Sequence, residues 1–219
     1  MAFGEVGTSL SKIKANSLNL AGTFGFSGTV SGLADETPLV LISTFTSDGS
    51  DSDATFTSSH ITSTYKEFLF VFNNIHPGTN QVYLRFSPSI DNGSNYNLSL
   101  TSSMFTAYHR EDGGGVGPAL EYASGFDTAS GTRHYISSDT GSNNDDGVSG
   151  IMRLYNPSST TFVKHYTIQT VTSSGDGTQY AYNVLGAGYI NTTSAVNNIK
   201  FDFHSGEIQG GTIDLFGVV

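Results

Sequence analysis

Apolar and polar side chains alternate along most of this chain, and most cleanly from Asn198 to Val219. Ile199, Phe201 and Phe203 take turns with Lys200, Asp202 and His204, the period-two pattern of a strand with one face buried. Ser205-Gly206 and Gly210-Gly211 punctuate the chain, and Ile213, Leu215, Phe216, Val218 and Val219 form a second apolar run. Two strands about a glycine-rich connection predict an antiparallel pair that closes a sheet and keeps the C-terminus in the core.

The same reading extends backwards. Leu39 to Phe45 and Ala54 to Ser58 read as strands on either side of the polar loop Asp48 to Asp53. Lys66 to Ile75 is the most apolar run and predicts a central strand buried on both faces. His76-Pro77-Gly78 turns the chain into Gln81 to Ser87, with Val82, Leu84 and Phe86 facing inward. Asp91-Asn92-Gly93 is a strong hairpin signal. Further strands are expected at Tyr96 to Tyr108, Ala119 to Ala123, Thr132 to Ile136, Val148 to Tyr155, Thr161 to Val171 and Gln179 to Ile190. Glu111 to Pro118 and Ser137 to Gly147 must be loops. About a dozen short strands with no helix of crossover length between them predict an all-β antiparallel β-sandwich, in jelly-roll-like order, over residues 37–219.

Residues 1–36 differ in pattern. Leu18, Leu20, Phe24, Phe26 and Val30 share one parity, while the opposite parity carries Asn19, Ala21, Thr23, Gly25, Ser27 and Thr29. Fully extended, Leu18 to Gly32 would reach roughly 50 Å. The segment reads either as the first strand of the domain or as an extended N-terminal arm that buries its apolar face in a partner, most simply a sister subunit. Its length and the polar stretch Ala34 to Pro38 favour an anchoring and oligomerisation arm.

Composition narrows the function. Fifteen Phe and 11 Tyr can build a core without Trp or Cys, and the absence of Cys excludes disulfides and thiolate metal sites. A net charge of −10, from 19 acidic and 9 basic residues, argues against nucleic-acid binding, which needs Lys and Arg to neutralise phosphates. No apolar run approaches the roughly 20 residues of a membrane span, and the N-terminus lacks the apolar core of a signal peptide, about 7–15 residues long. Membrane insertion and secretion are therefore not expected, and the sequons at Asn92, Asn97 and Asn191 read as composition.

Candidate chemistry is sparse. Asp48, Asp51 and Asp53 could supply carboxylates to Ca²⁺, but their spacing is not that of an EF-hand, and Asn143 to Asp146 reads the same way. His109, Glu111 and Asp112 lie together without matching a catalytic or metal motif. Gly113 to Gly117 lacks the Gly-Lys-Ser/Thr of a P-loop, and no Gly-x-Ser-x-Gly occurs. No catalytic residue, metal ligand or cofactor is expected, and the protein reads as non-enzymatic. Tyr108, Tyr122 and Tyr135 stand at strand–loop borders, where a polar-tipped ring suits contact with a sugar or protein, or simply closes the edge of the core.

Three stretches then carry a resemblance: YKEFLFVFNNIHPGTNQVYLRFSPSIDNGSNYN, RLYNPSSTTFVKHYT and GYINTTSAVNNIKFDFHSGEIQGGTIDLFGVV. Together they resemble a group of tailed-bacteriophage virion proteins, those of aquatic phages especially. The C-terminal pattern is matched by Ile199, Phe201, Gly206, Ile208, Gly211, Ile213, Leu215, Phe216 and Gly217. The resemblance covers Tyr65 to Val219 with gaps, and NLAGTFGFSGTVSG looks like short anchoring segments of phage fibres. It implies a sandwich-like surface domain of a virion, often a homotrimer, made in the host cytoplasm and carried on the particle. In one reading it is tail-fibre-like and attaches to a host-surface glycan or protein. In another it is a capsid decoration protein that cements the head. A carbohydrate-binding module or glycan-active enzyme is the third, and would need a carboxylate pair or an ordered ion in an acidic loop.

Overall fold

The structure, a computed structural model, describes residues 38–114, 118–175 and 178–219. The arm expected over residues 1–36, with Leu18, Leu20, Phe24, Phe26 and Val30, lies outside the described residues. Those described form twelve strands and no helix. In chain order they are β1 (Leu39–Thr46), β2 (Ala54–Phe56), β3 (Glu67–Pro77), β4 (Leu84–Ser89), β5 (Leu100–Arg110) and β6 (Ala119–Tyr122). Then follow β7 (His134–Tyr135), β8 (Gly147–Tyr155), β9 (Lys164–Gly175), β10 (Gln179–Ile190), β11 (Asn198–Phe203) and β12 (Ile208–Val218).

All pairings are antiparallel and fall into two sheets. The large sheet runs β1-β12-β3-β8-β9-β10-β5-β6, and the small one β2-β11-β4-β7. Setting aside β5, β6, β9 and β10 leaves four strands in each sheet, in the order first-eighth-third-sixth against second-seventh-fourth-fifth. That interleaving of two Greek keys is the jelly roll. The four added strands extend only the large sheet, beyond β8; β7 lies over β9 and β10, where His134 meets Tyr166 and Gly186, and β5 and β6 are the outermost strands.

The core lies between the sheets and is built on Phe201 of β11. Its ring meets Phe70 and Phe72 of β3 at 5.1 and 5.2 Å, and Phe56 of β2 at 6.1 Å, all edge-to-face. Such contacts add about 0.5–1.5 kcal/mol beyond the area buried. Ile213 and Leu215 of β12 close the opposite wall, fully buried.

Two sequence expectations need correction here. Asn198 to Val219 does not form a ladder with itself: β11 pairs with β2 and β4, whereas β12 pairs with β1 and β3. Gly206, at φ 76°, turns the chain from one layer into the other. The two apolar faces meet across the core instead of lying side by side. Asp91-Asn92-Gly93 does make a tight turn, with φ 58° and 83° at Asn92 and Gly93 and the Ser94 amide donating to the Asp91 carbonyl at 3.3 Å. The strands on either side nonetheless enter different sheets, β4 the small and β5 the large. Lys66 to Ile75 is interior, as expected, but asymmetric. Phe68, Phe70, Phe72 and Ile75 fill the core, while on the other face Leu69 is buried and Val71 only half-buried. A bulge at Asn74, φ 48°, keeps Ile75 inward.

Beneath the small sheet, His134 of β7 is fully buried beside the rings of Tyr166 (5.5 Å) and Phe86 (6.2 Å), and neither ring nitrogen meets a hydrogen-bond partner. Burial pushes its imidazole down to about 4.

Candidate functional site

The outward face of the small sheet gathers groups that the sequence keeps far apart. Leu84 and Phe86 point into the core, so alternation turns Tyr83 and Arg85 outward. Arg85 lies opposite Asp202 on one side and Tyr135 on the other. Its guanidinium donates to both Asp202 oxygens, at 2.8 and 3.1 Å, a bidentate pair that fixes its plane.

Around that pair the rings collect. Tyr83 stands 5.4 Å from Tyr135, 4.9 Å from Phe126 and 5.2 Å from the His204 imidazole. His204 Nδ1 accepts the Tyr83 amide at 3.0 Å, so the imidazole is committed to holding the strand. Burial, then the charge of Arg85, lowers its pKa. The Tyr83 phenol is shifted up, first by burial and then by the negative charge of Asp139. At the opposite margin Lys200 lies 4.8 Å over the Tyr96 ring.

A second group of rings continues the first around the edge of β7. On the overhanging inner face of the large sheet Tyr108, Tyr180 and Tyr182 form a triangle with centroid distances of 5.4 to 6.0 Å. Arg110 lies 5.8 Å from the centre of the Tyr180 ring and is paired with Asp112. Tyr182 and Phe126 pack on the same small cluster of Met104, Ala123 and Val184, which joins the two groups. Burial pushes the Tyr182 phenol up to about 12, so it stays a neutral donor at any physiological pH.

Of the three tyrosines singled out from the sequence, Tyr108 and Tyr135 fall in this tract. Tyr122 does not: it sits opposite Phe105 on the other face of the large sheet, 59% exposed, its hydroxyl donating to Asp127. Tyr83, Phe126, Tyr180, Tyr182 and His204 were missed. Alternation about Leu84 and the i, i+2 spacing of Tyr180 and Tyr182 could have found most of them; nothing local marks Phe126, which stands outside any strand.

The acidic loops use their carboxylates internally. Asp48 accepts from the Ser50 amide and hydroxyl, Asp51 from the Asp48 amide, and Asp53 from the Thr55 hydroxyl. His109 and Asp112 are not brought together as a pair, because Asp112 turns to Arg110. Among the described residues no three His, Cys, Asp or Glu side chains converge as a metal would require.

What the tract can do chemically is bind. Half-buried tyrosines offer flat apolar faces with polar tips, and the Arg85–Asp202 pair offers donors and acceptors already fixed in direction. Comparison of the chain with family models, with curated proteins and with solved structures gives no match.

Proposed function

We propose that the protein is a non-enzymatic structural protein of a bacteriophage virion: tail-fibre-like, homotrimeric, held to other virion proteins by residues 1–36, and presenting the jelly roll for attachment to a host-surface glycan or protein. The observation that carries this reading is the tract of Tyr83, Tyr135 and Phe126 beside the Arg85–Asp202 pair. Rings of this kind stack on the apolar face of a sugar or on a protein side chain, and the fixed ion pair discriminates among hydroxyl or amide patterns. The sequence resemblance over Tyr65 to Val219 supports the virion setting, and the jelly roll is an architecture shared by viral capsid and lectin domains. Attachment would be weak at each site and multiplied by copy number.

The test has two parts. Antibodies against the full chain should label tail fibres; label on the head would favour capsid decoration, and unlabelled particles would sink the virion reading. Added full-length protein should compete with particles for adsorption. The Tyr83→Ala, Tyr135→Ala double variant should compete roughly tenfold less well or worse. Undiminished competition by a folded double variant would remove the tract from attachment.

A further inference from the structure

The large sheet has a second outward face, turned away from the small sheet, and over the added strands it carries large apolar side chains among uncharged polar ones. The ladder registers set Ile151, Gln169, Leu185, Phe105 and Tyr122 in one row across β8, β9, β10, β5 and β6. The neighbouring row holds Val171, Asn183, Ala107 and Leu120. Leu120 is 73% exposed, Val171 52% and Phe105 44%, although each stands within a regular strand. Between Phe105 and Ile151 the small residues Ser103 and Ala187 leave an open groove of about 490 Å³. Soluble monomers rarely expose a connected apolar surface of this kind without a partner for it.

We infer that this face is where copies of the chain meet one another. The charge distribution selects a second copy. The chain carries 19 carboxylate side chains, and its copies repel one another at a net charge of −10. Yet β5, β8, β9 and β10 contain no Asp or Glu at all, and the one in β6, Glu121, lies opposite Thr106, whose side chain is buried on the inner face. Arg153, at the margin, is paired to Glu67 of the same chain. The carboxylate nearest these rows is Asp127 at the β6 margin, which accepts the Tyr122 hydroxyl, so two acidic copies can approach over β8, β9, β10 and β5 with few like charges opposed. The face also carries both halves of a self-contact: the groove over β8 to β10, and the projecting Leu120 and Tyr122 on the edge strand beside it.

Its size suffices. Four strands about 4.8 Å apart and about seven residues long at about 3.3 Å each, with the four residues of β6 beside them, give on the order of 500 Å² per copy. A pair would bury about 1,000 Å², where specific interfaces begin. The inference gives the oligomer of the preceding reading its contact surface, and rests on that reading only for the expectation that copies associate.

Light scattering on the full chain, across a dilution series, tests it. Wild type should exceed the 23.2 kDa of one chain. The Leu120→Glu, Val171→Glu double variant should fall to that mass with an unchanged Tm, while Phe162→Glu, on an exposed ring in the loop before β9, should not. A monomeric wild type at every concentration, or a double variant that keeps the wild-type mass, overturns the inference. Should the double variant not fold, single cysteines decide, because the chain has none of its own. Val171→Cys should react with a soluble maleimide slowly when concentrated and fast on dilution, with Phe162→Cys fast throughout. Equal rates at both positions under all conditions overturn it. Adsorption competition is read separately, so attachment can fail while this interface stands, and the reverse.

Discussion

The jelly-roll core and the four strands added to it use the same residue types to opposite ends. In the core, Phe56, Phe70, Phe72, Phe86 and Phe201 are at most 1% exposed; Phe56, Phe70 and Phe72 meet Phe201 edge-to-face, and Phe86 tilts against it. In the addition, Leu100, Tyr166, Ile168 and Ile190 still join the core, but the other large side chains divide between two unfinished surfaces: the half-buried Tyr108, Tyr180 and Tyr182 on the overhang, and Phe105, Leu120 and Val171 on the far side. The difference follows from cover. The small sheet has four strands against eight, so the core closes as far as Tyr166, Ile190 and Leu100, while the outer ends of the added strands and their far side meet no second layer among the described residues. Hydrophobicity there contributes to contact and not to cohesion.

Substitutions can sharpen that contrast, starting in the core. Phe201→Ala removes the ring on which β2, β3 and β4 converge and should cost about 3–5 kcal/mol in urea denaturation, with m unchanged. A loss under about 1 kcal/mol would mean that the core re-forms without it.

His134 comes next, at the border of the two regions. Its folded pKa of about 4 lies below the ordinary 6.5, so the unfolded chain binds the proton more readily between these values. Its contribution is therefore complete above pH 6.5 and is lost as pH falls towards 4. The fall corresponds to about 3 kcal/mol. His134→Leu should flatten the stability–pH curve in that window; an unaltered slope would assign acid sensitivity to other groups.

Arg85→Met should cost less, about 1–2 kcal/mol, since the pair with Asp202 is only partly shielded from water. Binding through the tract should suffer more than Tm does. The smallest effect belongs to the far side of the addition. Leu120→Ser should change the unfolding free energy of the isolated chain by under about 0.5 kcal/mol, because the side chain is already in water. A large loss would show that β6 is held by this residue, and would erase the distinction between cohesion and contact.

Much of this architecture was legible from residue order. Period-two alternation is a local property, and it placed nearly every strand within a few residues; Gln179–Ile190 has the expected limits. Turn chemistry was legible for the same reason: φ > 0 at Asn92 and Gly93 is what Asp-Asn-Gly permits. Two of the tract's seven rings could be read as well, since Tyr108 and Tyr135 border loops visible in composition alone.

The partners of the strands were not legible. An apolar face must be covered, but alternation does not say whether by the neighbouring strand's face in the same sheet or by a strand across the core. Phe201 and Ile213 could have lain side by side on one sheet; the structure sets them against each other, because the turn at Gly206 crosses between layers. The same uncertainty hid the tract. Tyr83, Tyr135 and His204 converge only because β4, β7 and β11 are neighbours in one sheet, and Phe126 joins them only by packing around the edge of β7. Strands, turns and inward residues were readable along the chain, because local backbone preference and burial set all three. Tertiary structure alone decided which faces met, and therefore which were left open to bind.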